Sequence, residues 1–248
     1  YNPASKHFDK VVDIARKTIL SASQEMPGIP FPFPYMTVFN GDFGVEYPMI
    51  TNVGTESEYD MTVYANSHEI MHSYFPFYVC TNETKNGWMD EGLTVFLPEK
   101  AQTEISTLDE AKRNNAAFSK YAGMEDEPAM ITSTHYLDQR IYFYLNYAKA
   151  EVALRMLQSE LGDSLFKYCL TTLMERWKYK HPTPYDFFNT FNTLSKQDLN
   201  WFWNAWYFQN GGIPDLAIGQ VTRTEGKTQV CVINKGDLPL PVVLSFFS

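Results

Sequence analysis

Cysteine is scarce in this 248-residue chain, which contains only Cys80, Cys169 and Cys231. The three are far apart and form no CxxC pair, so the sequence predicts neither a disulfide framework nor a thiolate metal site. Long apolar runs are missing too, since polar residues interrupt every stretch of about 18 residues, and we expect no membrane span. Positive charge is in deficit, with 20 Lys and Arg against 29 Asp and Glu, which disfavours binding to nucleic acid.

Apolar residues, by contrast, make up 44% of the chain and aromatic residues 16%, which is enough to bury a sizeable core. The first residue is Tyr1 rather than Met, so we expect a fragment of a longer protein. The low charge and the many Asn, Thr and Tyr residues lean slightly towards an exported or periplasmic protein, with a cytoplasmic one as the alternative. The oligomeric state stays open.

The hydropathy pattern predicts an α+β protein that is mostly helical. Two strands are expected at Tyr35–Asn40 and Val45–Val53, joined by a turn over Gly41–Gly44. Apolar residues spaced by the period of an α-helix predict helices at 5–21, 62–75, 88–103, 107–121, 141–160, 163–178, 184–195 and 198–208.

The stretch His68-Glu69-Ile70-Met71-His72 carries the strongest chemical signal in the sequence. With 5 His in the chain, an HExxH pattern would arise by chance about 0.007 times. Residues four apart lie on one face of a helix, so both imidazoles can reach a single ion. Glu69 would then contact a water molecule held by that ion. The alternative is two unrelated helical histidines with a Glu between them.

A catalytic zinc site needs three protein ligands and an open position for water. Glu91, 18 residues after His72, is the candidate third ligand, in a helix predicted to begin near Trp88. Such a site keeps net positive charge, which lowers the pKa of the bound water from that of bulk water to about 7. Glu69 would take the water's proton and pass it to a departing amine. The motif predicts one Zn²⁺ per chain and amide hydrolysis without a covalent intermediate.

The run HEIMHSYFPFYV…WMDEGLTVF resembles the zinc signature of the aminopeptidase N family, the M1 metallopeptidases among the gluzincins. Residues Gly41–Pro48 lie where that family has its G-x-M-E-N motif, and Tyr147–Ala150 is similar to the family's Tyr-x-Lys-Gly helix start. Residues Trp203–Leu216 are similar to the end of the family's catalytic domain. The resemblance spans roughly residues 1–216.

The resemblance implies further roles around the metal. Glu46 would bind the substrate's α-ammonium group, so that residues are released from the amino end; the alternative is a solvated Glu at a strand end. The backbone of Gly44 and Val45 would run beside the substrate. Tyr147 would donate its phenol to the developing oxyanion, although a tyrosine in so aromatic a helix is also typical of a core.

Two departures from the family pattern bear on the site. Val45 and Tyr47 stand where the family has Met and Asn, so we expect the shape of the amine pocket to differ. Asp90 stands where the family has Asn. It would either orient a ligand imidazole or be an acidic residue in the first turn of a helix.

The resemblance also implies a thermolysin-like, two-lobed catalytic domain over residues 1–214. Within it, residues 1–60 would form a helix and a small sheet, and 61–214 would be mainly helical.

The pattern becomes β-rich after Pro214, in the stretches Thr228–Asn234 and 241–248. This change predicts that residues 215–248 are the start of a truncated β-type domain, and the resemblance implies that this domain is a β-sandwich.

The sequence thus points to a zinc aminopeptidase acting on peptides with a free amino terminus. One alternative is a zinc endopeptidase of the thermolysin or glycyl-aminopeptidase type, which would use the same metal site on a different part of the substrate. Another is a catalytically silent domain that binds peptides and keeps zinc for stability.

Overall fold

The computed structural model describes residues 5–245, and this part is mostly helical, as the sequence predicted. Its α-helices are α1 Val11–Gln24, α2 Tyr59–Met71, α3 Leu93–Phe96, α4 Glu99–Ile105, α5 Glu110–Tyr121, α6 Gln139–Phe143, α7 Ala150–Leu161, α8 Asp163–Trp177, α9 Pro184–Ser195 and α10 Asn200–Trp203. Wider, π-helical turns occupy Trp88–Gly92, Tyr144–Lys149 and Asn204–Phe208. The segment Ser73–Tyr78 is kinked at Phe75, whose backbone is extended. The strands are β1 Thr37–Asn40, β2 Val45–Tyr47, β3 Ile50–Val53, β4 Leu216–Thr224 and β5 Lys227–Asn234.

Three short strands form a sheet of order β1-β3-β2. The prediction of one strand over Val45–Val53 is wrong, because this segment folds back on itself as the antiparallel pair β2–β3. Pro48 has no N–H to offer to a ladder, and Met49 adopts the left-handed φ of 64° that the tight turn needs. Strand β1 pairs with β3 in parallel, so the turn at Gly41–Gly44 does not join hydrogen-bonded neighbours.

The register of the sheet fixes the direction of Glu46. In the β2–β3 ladder Glu46 lies opposite Thr51, and residues opposite each other in an antiparallel pair point to the same face. Thr51 is fully buried on the sheet that packs against α2. Glu46 therefore points towards the helix that carries the HExxH motif.

The helices share one hydrophobic core that is rich in aromatic rings. Trp88 belongs to it and contacts Phe187 and Tyr207, with ring centroids 5.3 Å and 4.7 Å away. Aromatic pairs at these distances add to the stabilisation that burial provides. Since Trp88 begins the turn that also contains Asp90 and Glu91, the core holds both carboxylates in place.

Strands β4 and β5 form a two-stranded antiparallel ribbon after Pro214, in agreement with the predicted β-rich stretch at Thr228–Asn234. Much of the ribbon is exposed. Residues 241–245 have no regular structure. Residues 1–4 of the predicted first domain and residues 246–248 of the predicted last strand lie outside the described residues. Within 5–245, no helix is both long enough and apolar enough to cross a bilayer.

Candidate active site

Helix α2 presents the HExxH side chains at its C-terminal end. His68 and Glu69 lie in its last turn, and His72 follows directly with helical backbone angles. The four-residue spacing puts both imidazoles on one face, with ring centroids 4.8 Å apart. All three side chains are buried, so the helix aims polar groups into the interior of the protein.

Glu91 reaches the two imidazoles from the turn Trp88–Gly92. Its Oε2 lies 3.2 Å from Nε2 of His68 and 3.6 Å from Nε2 of His72. The two Nε2 atoms are 3.3 Å apart. Two imidazole nitrogens and a carboxylate oxygen thus converge on one point, and Oε2 has no hydrogen-bond partner among the described residues.

These spacings fit a tetrahedral ion of the size of zinc. With Zn–N and Zn–O bonds of about 2.0–2.1 Å, tetrahedral angles put ligand atoms about 3.3–3.4 Å apart. The three measured separations, 3.2, 3.3 and 3.6 Å, bracket this value. His68, His72 and Glu91 are therefore the residues that could hold a metal ion.

Asp90 lies against the second imidazole, so the structure favours the first of its two interpretations. Its Oδ1 is 2.8 Å from Nδ1 of His72, which also lies 3.0 Å from the carbonyl oxygen of Phe75. Burial lowers the pKa of His72, but the carboxylates of Asp90, Glu91 and Glu46 together outweigh this effect and raise it to about 10. A metal would displace the proton from Nε2, and the proton that stays on Nδ1 would face Asp90.

Tyr142 is a site residue that the sequence reasoning missed. Its phenol donates a hydrogen bond to Oε1 of Glu91 over 3.1 Å, which turns the other oxygen, Oε2, towards the imidazoles. The only signal in the sequence is its place in the aromatic run IYFYLNYAK. This run contains several tyrosines, and the sequence pattern does not distinguish which of them lies at the site.

Tyr147 lies in the turn Tyr144–Lys149 beside the same cluster. Its ring stacks on that of His68, with centroids 5.7 Å apart and planes 25° from parallel. Burial and the nearby carboxylate of Glu91 raise the pKa of the Tyr147 phenol far above its ordinary value. The phenol therefore keeps its proton and can act as a hydrogen-bond donor. Tyr147 is half-buried rather than enclosed in the core.

Glu69 and Gly44 approach each other closely. A Cβ atom on Gly44 would lie 2.6 Å from Oε1 of Glu69, so a side chain at this position would displace the Glu69 carboxylate. Burial raises the pKa of Glu69, while the imidazoles of His68 and His72 act in the opposite direction. Oε2 of Glu69 has no hydrogen-bond partner among the described residues. Glu69 is thus a carboxylate that is largely free to exchange a proton.

Glu46 completes the cluster from the side of the sheet. One of its carboxylate oxygens lies within 4.8 Å of ligand atoms of His72 and Asp90. Strand β2 is at the edge of the sheet, so the backbone of Gly44 and Val45 is accessible beside the cluster. The structure therefore brings together every site residue that the sequence predicted.

Behind Tyr147, the side chain of Lys149 is completely buried against Glu127. The Glu127 carboxylate also accepts a hydrogen bond from the N–H of Gly123 over 2.8 Å. The Lys149 ammonium group lies 3.4 Å from the carbonyl oxygen of Gly211. This ion pair ties the turn that carries Tyr147 to two loops, and no spacing in the sequence predicts it.

The model of the peptidase family M1 domain matches residues 34–206, which is more than half of the chain. The chain belongs to peptidase family M1. This confirms the family that the HExxH and Glu91 segments indicated.

Individual relatives of this M1 chain are distant. It is 24% identical over 153 residues to probable aminopeptidase 2 of Sulfurisphaera tokodaii, covering 58% of this chain and 20% of that protein. It is 23% identical over 213 residues to aminopeptidase N of Haemophilus influenzae, covering 82% and 24%. The chain thus spans about a quarter or less of the length of these two relatives.

The fold of the M1 chain is similar to solved structures. A crystal structure of a variant of the M1 zinc metallopeptidase from Deinococcus radiodurans superposes with a TM-score of 0.61 at 14% identity. The match covers 84% of this chain and 45% of that protein. At this identity the likeness concerns the fold alone.

Proposed function

We propose that this M1 chain carries the catalytic site of a zinc-dependent aminopeptidase, which hydrolyses the peptide bond next to a free amino terminus. The observation that carries the proposal is the convergence of His68, His72 and Glu91 at the spacings of a tetrahedral zinc site, with Glu69 adjacent. The names of the relatives, which include aminopeptidases and a zinc metallopeptidase, point the same way.

In this proposal one Zn²⁺, held by His68, His72 and Glu91, would supply Lewis acidity that makes a water molecule nucleophilic at neutral pH. Glu69 accepts the proton of the attacking water and then donates it to the departing amine. Its raised pKa suits both tasks, because it brings the carboxyl group closer to the working pH. Asp90 holds the imidazole of His72 in the orientation that turns Nε2 to the ligand position.

Two further residues define where the substrate lies. Tyr147 donates its phenol to the oxygen of the scissile carbonyl as negative charge develops there, an interaction that strengthens in the transition state. Glu46 pairs with the α-ammonium group and sets the distance from the amino terminus to the bond that breaks. The exposed edge of β2, at Gly44 and Val45, accompanies the substrate backbone.

The same proposal extends to the architecture. The sheet and the helical remainder are the two lobes of a thermolysin-like catalytic domain over residues 1–214. The ribbon of β4 and β5 begins a β-sandwich domain over 215–248. The substrates are peptides with a free amino terminus.

The decisive experiment compares two substrates that differ only at the amino terminus. We expect the zinc-loaded protein to release the chromophore from an aminoacyl p-nitroanilide and to leave the N-acetylated form intact, because acetylation removes the cation that Glu46 binds. A chelator should abolish release and added Zn²⁺ should restore it. Absorbance of free p-nitroaniline measures both rates.

The variant Glu46→Gln tests the same point from the protein side, with exposed Glu104→Gln as a matched control. Glu46→Gln should lose most aminoacyl hydrolysis while its zinc content stays at one per chain. Cleavage of the acetylated substrate would indicate an endopeptidase. Bound zinc without any hydrolysis would indicate a silent peptide-binding domain, and hydrolysis that a chelator leaves intact would refute a zinc mechanism.

Tyr142 should affect metal affinity rather than folding. We expect Tyr142→Phe to weaken Zn²⁺ binding by about 10-fold or more, as loss of a hydrogen bond to a metal-binding carboxylate does. Competition with a chromogenic chelator measures the affinity. The neighbouring exposed Phe143, substituted by Leu, serves as control. An unchanged affinity in Tyr142→Phe would remove the phenol from the metal site.

A further inference from the structure

A small cavity of about 220 Å³ adjoins the proposed metal site. Four carboxylates line it, those of Glu46, Glu83, Asp90 and Glu91. The other lining residues are two threonines and a tyrosine, so no lining side chain is a cation. Glu91 is buried, and its Oε2 atom, which has no hydrogen-bond partner among the described residues, lies 3.2 Å from Nε2 of His68 at the proposed metal site.

Three of these carboxylates already have a cationic or hydrogen-bonding counterpart in the proposed function. Glu91 is a metal ligand, Asp90 faces Nδ1 of His72, and Glu46 binds the α-ammonium group. Glu83 is the remainder. Its side chain makes no hydrogen bond or ion pair within residues 5–245, and burial together with the nearby Glu46 raises its pKa. This is the behaviour of a carboxylate that lacks a cation.

The loop that carries Glu83 is fixed even though the carboxylate is free. The N–H of Asn86 donates to the carbonyl oxygen of Asn82 over 2.8 Å. The hydroxyl of Thr134 donates to the carbonyl oxygen of Glu83 over 3.2 Å. The N–H of Thr134 donates to the carbonyl oxygen of Lys85 over 3.3 Å. The backbone thus presents an exposed carboxylate at the cavity in a defined position, which favours binding of a partner.

Glu83 adds a carboxylate beyond those that a metal and an amino terminus would pair with. In the proposed function Glu91 binds the metal and Glu46 binds the α-ammonium group, whereas no lining side chain offers a cation to Glu83. The nearby carboxylates of Glu46 and Glu91 disfavour the negative charge of Glu83. A cation on the substrate would relieve this repulsion.

We propose that Glu83 selects peptides whose first side chain is a cation, arginine or lysine, by pairing with its guanidinium or ammonium group. This inference rests on the proposed aminopeptidase function and names its substrate class. The lining supports it, because carboxylates and threonine hydroxyls offer hydrogen-bond acceptors to a cation and little apolar surface to a leucine or phenylalanine side chain.

The test uses arginyl p-nitroanilide and citrullinyl p-nitroanilide, since citrulline is the uncharged isostere of arginine. We expect the zinc-loaded protein to favour the arginyl substrate in kcat/KM by about tenfold, the size of one charge-assisted hydrogen bond. Glu83→Gln should bring the ratio close to one through a loss on the arginyl substrate. The exposed Glu104→Gln, on α4, should keep the wild-type ratio.

Two results would overturn the selection by Glu83. One is a wild-type ratio near one, and the other is a Glu83→Gln variant that loses both substrates to the same extent, which would place Glu83 on the α-ammonium group instead. Hydrolysis of the citrullinyl substrate tests the proposed aminopeptidase function separately from the selection by Glu83, because this substrate has a free amino terminus and no side-chain cation. If neither substrate is hydrolysed, calorimetric binding of argininamide and citrullinamide to the zinc-loaded protein decides the charge preference without turnover, with the same outcomes for the ratio of affinities.

Discussion

Glu69→Gln should reduce kcat for aminoacyl hydrolysis by about 10²–10⁴-fold, the contribution of a positioned general base. Glutamine keeps the shape of the side chain beside Gly44 and removes only its capacity to accept a proton. The carboxylate is buried, with one oxygen unpartnered among the described residues, and the nearby carboxylates of Glu46 and Glu91 have other roles in the proposal. Steady-state kinetics with aminoacyl p-nitroanilide measures the loss.

The zinc content of this variant serves as a control for an intact site. Glu69 is not among the atoms that converge on the ion, so zinc content and thermal stability should match the unaltered protein. Glu58→Gln, ahead of the first residue of the same helix, provides the same chemical change away from the site. Turnover within a few-fold of the unaltered protein would show that another group accepts the proton.

Lys149→Met should lower the free energy of unfolding by about 3–5 kcal/mol, because it leaves the Glu127 carboxylate buried without its cation. Both side chains are completely buried, so water cannot compensate. Burial lowers the pKa of Lys149, and the Glu127 carboxylate opposes this effect. Chemical denaturation followed by circular dichroism measures the change.

A second substitution separates the lost ion pair from lost packing. The double variant Lys149→Met, Glu127→Gln removes both charges, and we expect it to recover a large part of the stability, since no unpaired charge remains. The exposed pair Lys178 and Glu175 is the matched control, and breaking it should change stability by at most about 1 kcal/mol. A Lys149→Met variant as stable as that control would contradict the argument.

The part of the site that the sequence predicted is the part that follows from one helix. His68, Glu69 and His72 are related by the α-helical period alone, so their common face could be read without a structure. The predictions for Glu91 and Glu46 depended on the 18-residue spacing after His72 and on the family resemblance. Their distances to the imidazoles depend on how a π-helical turn and a sheet pack on α2, which no local pattern encodes.

Other features escaped sequence reasoning for specific physical reasons. The hairpin at Pro48 and Met49 interrupts a run of strand-forming residues. Its turn depends on the left-handed backbone of Met49, which the residue type does not predict. Tyr142 is a long-range partner of Glu91, 51 residues away. The Lys149–Glu127 pair joins segments 22 residues apart. Contacts of this kind arise from tertiary packing rather than from periodicity.

The π-helical turns Trp88–Gly92 and Tyr144–Lys149 have a consequence for how this scaffold can change. A Cβ atom on Gly92 would lie 2.5 Å from the Cβ of Ala150. The first turn therefore contacts the chain at the point where the second turn ends and α7 begins. Each widened turn contains one residue more than an ordinary helical turn. Deleting a single residue from either one would replace the widened turn with regular α-helical winding and displace the residues inside it, which include Glu91 in the first and Tyr147 in the second. A library of single-residue deletions should therefore spare these two segments even where point substitutions are accepted.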